Sequence, residues 1–317
     1  MGLVDEQGWA APDTSAPGDI GFGGSPRGPE PIADGQGDPR RTPPKLPVPL
    51  RPMTLTDLLD GAFAVIKARP RTVFGIAAAV LIPAHVVAAF LQRRATASFS
   101  VTNSLNMLNV GGRSNINGGD IVGVYAASAL LLLSLYFLGG ALGRLITAWY
   151  VGSDLTAGEA LSASFKRTPT MVGAFLLLAV PKLVGFCFCY LPGILLVTLW
   201  SVVAPVIVVE RLGVVAAARR SWRLVSSRLW PCVGIIVLAT LGAQLMTSVM
   251  GTIPTLVASA LPSPLDWIAV AAVSSAVAMI VTTALVSVSV LLYLDLRIRN
   301  EGLDLELSAA DAFAEAR

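Results

Sequence analysis

The sequence predicts an all-α protein, a polytopic membrane bundle of six transmembrane helices with amphipathic helices lying along its cytoplasmic interface. Three observations support this fold class. Hydrophobic residues make up 54% of the 317 residues and charged residues only 14%, a balance too apolar for a soluble core. Apolar runs long enough to cross about 30 Å of hydrocarbon recur from residue 72 onward. Lysine and arginine also cluster on one side of these runs.

The first 50 residues have a different composition, dominated by proline, glycine and aspartate, as in "GDIGFGGSPRGPEPIADGQGDPRRTPP". Such a segment buries too little apolar surface to offset the entropy lost on ordering. We therefore expect residues 1–50 to form a disordered cytoplasmic tail, with a proline-rich ligand for a partner protein as the alternative. Residues 301–317 are expected to form a short acidic tail on the same side.

Turn signals divide the membrane domain, residues 51–300, into six spans. The unbroken apolar stretch from Met171 to Val209 is too long for one crossing, and "YLPG" at 190–193 marks a turn at its middle. We interpret that stretch as two helices in a tight hairpin. The expected spans are 72–92, 121–143, 171–189, 191–209, 231–252 and 267–294.

Basic residues flank the spans unequally, and this asymmetry predicts their orientation. One side carries only Arg93, Arg94 and Arg113. Because short cytoplasmic loops are enriched in lysine and arginine, we expect a multi-pass protein of the cell membrane with both termini in the cytoplasm. The loop from about 94 to 120 then faces outward. The basic residues of the cytoplasmic side are Lys67, Arg69, Arg71, Lys166, Arg167, Arg211, Arg219, Arg220, Arg223, Arg228, Arg297 and Arg299.

Arginine and tryptophan crowd the approach to the fifth span. Arginines near anionic headgroups each contribute about 1 kcal/mol of attraction, and tryptophan is enriched at headgroup level. Anionic lipids of the inner leaflet are therefore expected partners, with other membrane proteins as a second class. A net charge of +3 is too small to indicate a nucleic-acid partner. The residues concerned are Arg219, Arg220, Trp222, Arg223, Arg228 and Trp230.

Three segments precede the pairs of spans in a similar way, beginning at Leu55, Leu155 and Ala216. Each ends in a basic residue and then a proline, and the pattern predicts a short interfacial helix followed by a crossing that starts at the proline. Thr156 and Glu159 have the spacing of a capping box for the second of them. We interpret the chain as three repeats of interfacial helix plus hairpin, although basic flanks and prolines also occur in multispan proteins without repeats.

Two segments carry a resemblance, "PGILLVTLWSVVAPVIVVERLGVVAAARRSWRLVSSRLWPCVGI" (192–235) and "LLYLDLRIRNEGLDLEL" (291–307). They resemble the membrane-domain family of glycerophosphoryl diester phosphodiesterases and its actinobacterial relatives, and "LTDLLDGAFAVIKARP" resembles that family's opening helix. The resemblance covers about residues 50–307 and implies a polytopic membrane domain, which in some members lies beside a hydrolase. The shared residues are Pro192, Gly193, Trp200, Pro205, Glu210, Arg220, Ser221, Trp222, Tyr293, Asp295, Leu296 and Arg297.

Ionisable residues within the spans are candidate functional groups by default. Lys182, near the middle of the third span, could contact an anionic substrate or lipid headgroup, or its stem could snorkel to the outer headgroups. His85 follows Pro83 and could serve a proton relay, or its ring could bond to a backbone carbonyl of the kinked helix. Glu210 and Asp295 end spans near the arginines, and we expect them to pair with Arg219, Arg220, Arg223 or Arg297.

The remaining polar and small residues predict packing rather than chemistry. Cys187 and Cys189 point to different helix faces and cannot share a metal as a pair, so no metal or cofactor is expected. Gly139, Gly140 and Gly143 favour close helix contact. The hydroxyls of the sixth span are expected to serve packing rather than a pathway; they belong to Ser274, Ser275, Thr282, Thr283, Ser287 and Ser289.

We expect a non-catalytic integral membrane protein, an accessory or scaffold domain at the cytoplasmic membrane, with a small transporter or lipid-handling permease as the alternative. A non-catalytic scaffold would organise lipids or partner proteins through the interfacial helices. A small transporter or lipid-handling permease would instead enclose a cavity and bind an anionic group at Lys182. An enzyme is not expected, since the chain has one histidine and no soluble segment long enough for a hydrolase domain. A polar cavity that reaches Lys182 would favour the permease.

Overall fold

A computed structural model describes residues 54–98, 118–150, 152–188, 190–260 and 266–302. Within these ranges the chain forms α-helices and no strand. The expected tail at 1–50, nearly all of the tail at 301–317 and most of the loop at 94–120 lie outside the described residues. The helices are α1 (Leu55–Ala68), α2 (Pro70–Ser98), α3 (Gly118–Tyr150), α4 (Ala157–Phe165), α5 (Thr168–Phe188), α6 (Tyr190–Leu199), α7 (Val203–Val209), α8 (Val214–Ser226), α9 (Leu229–Ala260) and α10 (Asp266–Glu301).

Six segments of the described chain are long and apolar enough to cross a membrane. Their number and order are those predicted from the sequence, so the chain is a multi-pass, all-α membrane protein. The helices extend past the predicted ends because helical hydrogen bonding continues beyond the apolar run that composition detects. The segments are Pro70–Arg93, Ile121–Tyr150, Thr168–Phe188, Tyr190–Val209, Leu229–Thr252 and Ala271–Glu301.

Three short helices, α1, α4 and α8, each precede a spanning helix and lie at one end of the bundle, which we call the basic end. Pro70, Pro169 and Pro231 lie within the first three residues of α2, α5 and α9, where a missing N–H costs no hydrogen bond. The predicted capping box at Thr156 starts α4. Hydrogen bonds from the Thr156 N–H and hydroxyl lower the pKa of the Glu159 carboxyl below its ordinary value.

The last helix, α10, forms the centre of the bundle. It contacts α1, α2, α3 and α9. Of the residues in its 18-residue apolar stretch, 67% are buried, against 17% in the corresponding stretches of α3 and α9. Every residue from Val286 to Leu296 except Ser289 is buried. The spanning helices α2, α3 and α9 therefore pack on α10, and their outward faces are left for lipid.

The third and fourth spans form the predicted hairpin, but its turn is displaced. Pro192 and Gly193 lie within the first turn of α6 rather than between the helices, and the residue between α5 and α6 is 189, outside the described residues. The two helices approach closely where Gly185 faces Gly193, since a Cβ on Gly185 would lie 3.2 Å from the Gly193 Cα. Glycine at both positions permits this contact.

The predicted fourth span, 191–209, is not one helix. It consists of α6 and α7, which are separated by a turn at Trp200–Val202. Pro205 supplies the physical reason: it has no N–H to bond to the carbonyl of Ser201, four residues earlier, and its ring clashes with that carbonyl in a continuous helix. The α7 segment is buried along Val203–Val208.

The α3 and α7 helices pack closely at Gly143. A Cβ added there would lie 2.8 Å from the Pro205 Cβ and 3.1 Å from the Pro205 Cα, and the latter is a backbone atom that cannot turn aside. Gly242 of α9 has no atom within 4 Å of the corresponding position. The predicted glycine motif therefore serves close helix packing in the core.

Alanine at Gly143 should destabilise the bundle, because an extra methyl group in a packed core costs about 1–3 kcal/mol. We expect G143A to lower the melting temperature of the detergent-purified protein. The matched control G242A should leave it unchanged or raise it slightly, since alanine is favoured over glycine in helices by about 1 kcal/mol. Equal melting temperatures for G143A and the unmutated protein would contradict the close contact.

Candidate functional site

The turn at Trp200–Val202 exposes backbone carbonyls within the apolar part of the chain, and side chains from other helices satisfy them. Ser289 of α10 donates from Oγ to the Ser201 carbonyl at 2.7 Å. This is the carbonyl to which Pro205 cannot donate a hydrogen bond, because proline has no N–H. Ser221 of α8 donates to the Leu199 carbonyl at 2.7 Å. An unsatisfied backbone group in hydrocarbon costs several kcal/mol, so these two serine bonds stabilise the interruption.

A cavity of about 180 Å³ lies beside this turn. Successive contacts of α3 with α5, α5 with α6, α6 with α9, α9 with α10 and α10 with α3 form a ring of helices around it. Apolar residues of all these helices except α5 line most of the wall. The polar groups of the lining belong to Tyr136, Lys182, Trp200, Ser201, Thr240 and Ser289.

Lys182 is the charged residue of this cavity. Its Nζ donates to the Tyr136 hydroxyl at 3.3 Å and lies 5.8 Å from the centre of the Tyr136 ring, while the side chain is half-buried. Among the residues that the structure describes, no carboxylate forms an ion pair with Lys182. The ammonium therefore faces a cavity that contains hydroxyl groups and no compensating negative charge in the described lining.

Three consecutive residues of α8 hold the two parts of the interrupted span. Arg220 donates to Glu210, at the end of α7, and Ser221 bonds to the last carbonyl of α6. The Trp222 ring packs against Trp200, with ring centres 6.1 Å apart. Because Trp200 lines the cavity, the interfacial helix α8 is connected directly to the cavity wall.

Charged residues at the basic end form a network that joins α7, α8 and α10. Glu210 accepts hydrogen bonds from Arg220 at 2.9 Å and from the Tyr293 hydroxyl at 3.0 Å. Arg220 also pairs with Glu301, which Arg297 contacts at 3.0 Å. Partial burial acts against the charged form of Arg220, but the hydrogen bonds and negative charges of Glu210 and Glu301 prevail and raise the pKa of its guanidinium.

The structure places the predicted surface arginines in two environments. Arg219, Arg223 and Arg228 are exposed, and so are Trp222 and Trp230. Arg220 instead points toward Glu210 and Glu301 because it occupies the side of the amphipathic α8 helix that packs on the bundle.

The remaining predicted residues have local partners. The His85 ring hydrogen-bonds through Nδ1 to the Leu81 carbonyl at 2.8 Å, the backbone contact expected as the alternative to a relay. Of the expected ion pairs, Glu210–Arg220 is present. Asp295 accepts from Arg299 at 2.9 Å, a partner that was not among those named from the sequence.

Sequence analysis missed most of the cavity. Tyr136, Trp200, Ser201 and Thr240 were not identified as site residues, and Ser289 was assigned to packing alone. Pro205 was the available signal, since an internal proline frees a carbonyl that needs a partner. Cys187 is exposed, Cys232 is buried, and Cys189 lies outside the described residues. Within residues 54–302, where described, no three histidine, cysteine, aspartate or glutamate residues form a group that could hold a metal.

No protein-family model, curated protein or solved structure matches this chain. The resemblance to the phosphodiesterase membrane domain therefore stays a prediction.

Removal of the Glu210 carboxylate should weaken the charged network that joins α7, α8 and α10. Hydrogen bonds to charged groups contribute about 1.5–3 kcal/mol each, so we expect E210A to lower the melting temperature of the protein in detergent. D154A is the matched control, because Asp154 pairs with Arg69 at an 85% exposed position and such pairs contribute at most about 1 kcal/mol. A fall no larger for E210A than for D154A would contradict a structural role for the network.

Proposed function

We propose that this protein is a small lipid-handling permease that binds an anionic group at Lys182 within the membrane. The single observation that carries the proposal is the cavity beside the interrupted fourth span, which reaches Lys182. Interrupted helices at the middle of the membrane are a common feature of transporter binding sites. The proposal assigns no catalytic role to the chain.

The position of Lys182 supports an anionic ligand over a purely structural role. Lys182 is the fifteenth of the 21 residues of α5; a lysine at the centre of a spanning helix costs about 2.5–3.5 kcal/mol on insertion scales, and this cost falls toward the helix ends. The Tyr136 hydroxyl satisfies one of its three N–H donors, and no described carboxylate neutralises the charge. An anion in the cavity would pair with the ammonium and use the remaining donors.

A scaffold at the membrane surface is the second candidate function. The exposed Arg219, Arg223 and Trp222 of α8 favour it, because basic and aromatic side chains bind anionic headgroups. The two candidates differ in where a ligand is held: a scaffold binds lipid at the surface of α8, whereas a permease binds its ligand in the cavity.

We also infer that the basic end faces the cytoplasm of the cell and that the membrane is the cell membrane. The described residues place arginine and lysine at this end in large excess over the opposite end, where Arg93 lies in the last turns of α2. The excess of positive charge in short cytoplasmic loops supports this orientation.

Substitution of Lys182 should remove bound anions that purify with the protein. We expect mass spectrometry to find an anionic species bound to the unmutated protein and at least about 10-fold less of it on K182Q. Loss of one charge-assisted contact worth about 1.4 kcal/mol weakens binding about tenfold. K166Q is the control, because Lys166 is exposed at the basic end and its loss should leave the bound species unchanged.

Equal amounts of bound anion on K182Q and the unmutated protein would refute the proposal. If the same species were lost from an R219Q/R223Q variant instead, the ligand would be held at the surface of α8, as the scaffold function requires. The melting temperature of each variant shows whether it is folded.

Cysteine labelling should reveal the orientation. Ser226 is exposed at the basic end, and Gly118 is exposed at the start of α3, at the opposite end, with open space around a Cβ. In a background without native cysteines, a membrane-impermeant maleimide should label G118C in intact cells and S226C only after permeabilisation. Labelling of S226C in intact cells would reverse the proposed topology.

A further inference from the structure

We infer that the ligand of the cavity is an amphiphile with a single negative charge, whose anionic group contacts Lys182 and whose hydrocarbon tail leaves beside the outer half of α9. This inference rests on the proposed function and names its ligand class. It excludes both hydrated inorganic anions and dianionic headgroups. Four features of the described residues carry it: charge, hydroxyl donors, volume and the exit path.

The charge of the cavity limits the charge of the ligand. Lys182 supplies one positive charge, and the other lining residues are uncharged. A monoanion would be neutralised by this ammonium. A dianion would keep one charge without a partner in a medium of low dielectric constant, which disfavours its binding.

Hydroxyl groups of the cavity lining can complete the contact with an anionic group. The Ser201 Oγ atom is buried and has no hydrogen-bond partner among the described residues, and Ser201 lines the cavity. Tyr136 already accepts from Lys182, so its O–H is free to donate. Carboxylates or phosphodiesters, each with one charge and at least two acceptor oxygens, match this set of donors.

The volume of the cavity indicates that only part of the ligand is enclosed. Pockets that surround a drug-sized ligand measure about 300–1,000 Å³, whereas this cavity measures about 180 Å³. A carboxylate with a few methylene groups fits within it. The rest of a longer molecule must extend outside.

The surface away from the basic end is mainly apolar. Leu183 of α5 is 66% exposed, and Leu241 and Leu245 of α9 are 56% and 65% exposed. All side chains from 244 to 249 are exposed, including the polar Gln244, Thr247 and Ser248, so the outer half of α9 leaves the wall incomplete beyond Thr240. A hydrated ion would lose most of its water at such a surface, but an acyl tail would remain in hydrocarbon.

Toward the basic end, α3 and α7 leave no passage between them. Residues Val203–Val208 of α7 are buried, and the close contact between Gly143 and Pro205 leaves no space between α7 and α3. The ligand therefore enters and leaves through the outer half of the bundle, in the plane of the lipid.

Photoaffinity labelling of the full chain in lipid nanodiscs can test the ligand class. The probe is a C12 alkanoate with a terminal diazirine, and the competitors are dodecanoate, dodecanol, inorganic phosphate and dodecyl phosphate at a pH where it is dianionic. We expect labelling of peptides from α5 and the outer half of α9, with dodecanoate competing at least about 10-fold better than each of the others. K182Q should lose this labelling, K182R should keep it, and the matching alkanol probe should not distinguish the variants.

The possible outcomes separate the inference from the proposed function. Competition by inorganic phosphate or by dodecyl phosphate equal to that of dodecanoate would overturn the inference while leaving Lys182 as an anion site. Alkanoate labelling that K182Q retains in full would overturn both. Alkanoate labelling confined to the α8 surface would overturn the inference and favour the scaffold. Unchanged melting of K182Q and K182R confirms that a loss of labelling is not a loss of fold.

Discussion

The architecture depends on one constraint: every backbone N–H and C=O within hydrocarbon must find a partner inside the protein. Most of the described chain meets it with continuous helices. The fourth span does not, because Pro205 cannot bond to the Ser201 carbonyl, and Ser289 and Ser221 supply the missing donors. The interruption is thereby fixed to α10 on one side and to α8 on the other. Without both serines the turn would leave carbonyls without partners, and the cavity beside it would lose its wall.

This constraint joins the membrane surface to the interior of the bundle. In α8, Arg219 and Arg223 are exposed, whereas Ser221 is buried against α6. One short helix therefore carries exposed arginines on one face and contacts the cavity wall with the other. A change in the position of α8 would therefore move Trp200, which lines the cavity, or break its contact with Trp222.

The six spans could be predicted because length and composition alone determine them, and the proline positions at α2, α5 and α9 followed from local backbone chemistry. The Glu210–Arg220 pair was accessible because its members are close in sequence. The cavity could not be predicted, since Lys182 meets Tyr136 across 46 positions and the packing of α5 on α3 brings them together. The break at Trp200–Val202 was readable in principle from Pro205, but the apolar residues on both sides give it the composition of a continuous span.

The surroundings of Lys182 favour a role in binding a ligand over a purely structural role for this lysine. Its neighbours along α5, Leu183 and Val184, are apolar and exposed, so an aliphatic side chain at 182 would suit the helix and avoid the cost of a charge in hydrocarbon. Snorkelling would relieve that cost if the ammonium pointed to the outer headgroups, yet Nζ is held against the Tyr136 hydroxyl at the cavity. The same low dielectric that makes the isolated ammonium costly strengthens its attraction to an anion. A site of this kind binds most strongly a molecule that has one negative charge and few other polar groups to desolvate. An amphiphile with one anionic group has these properties.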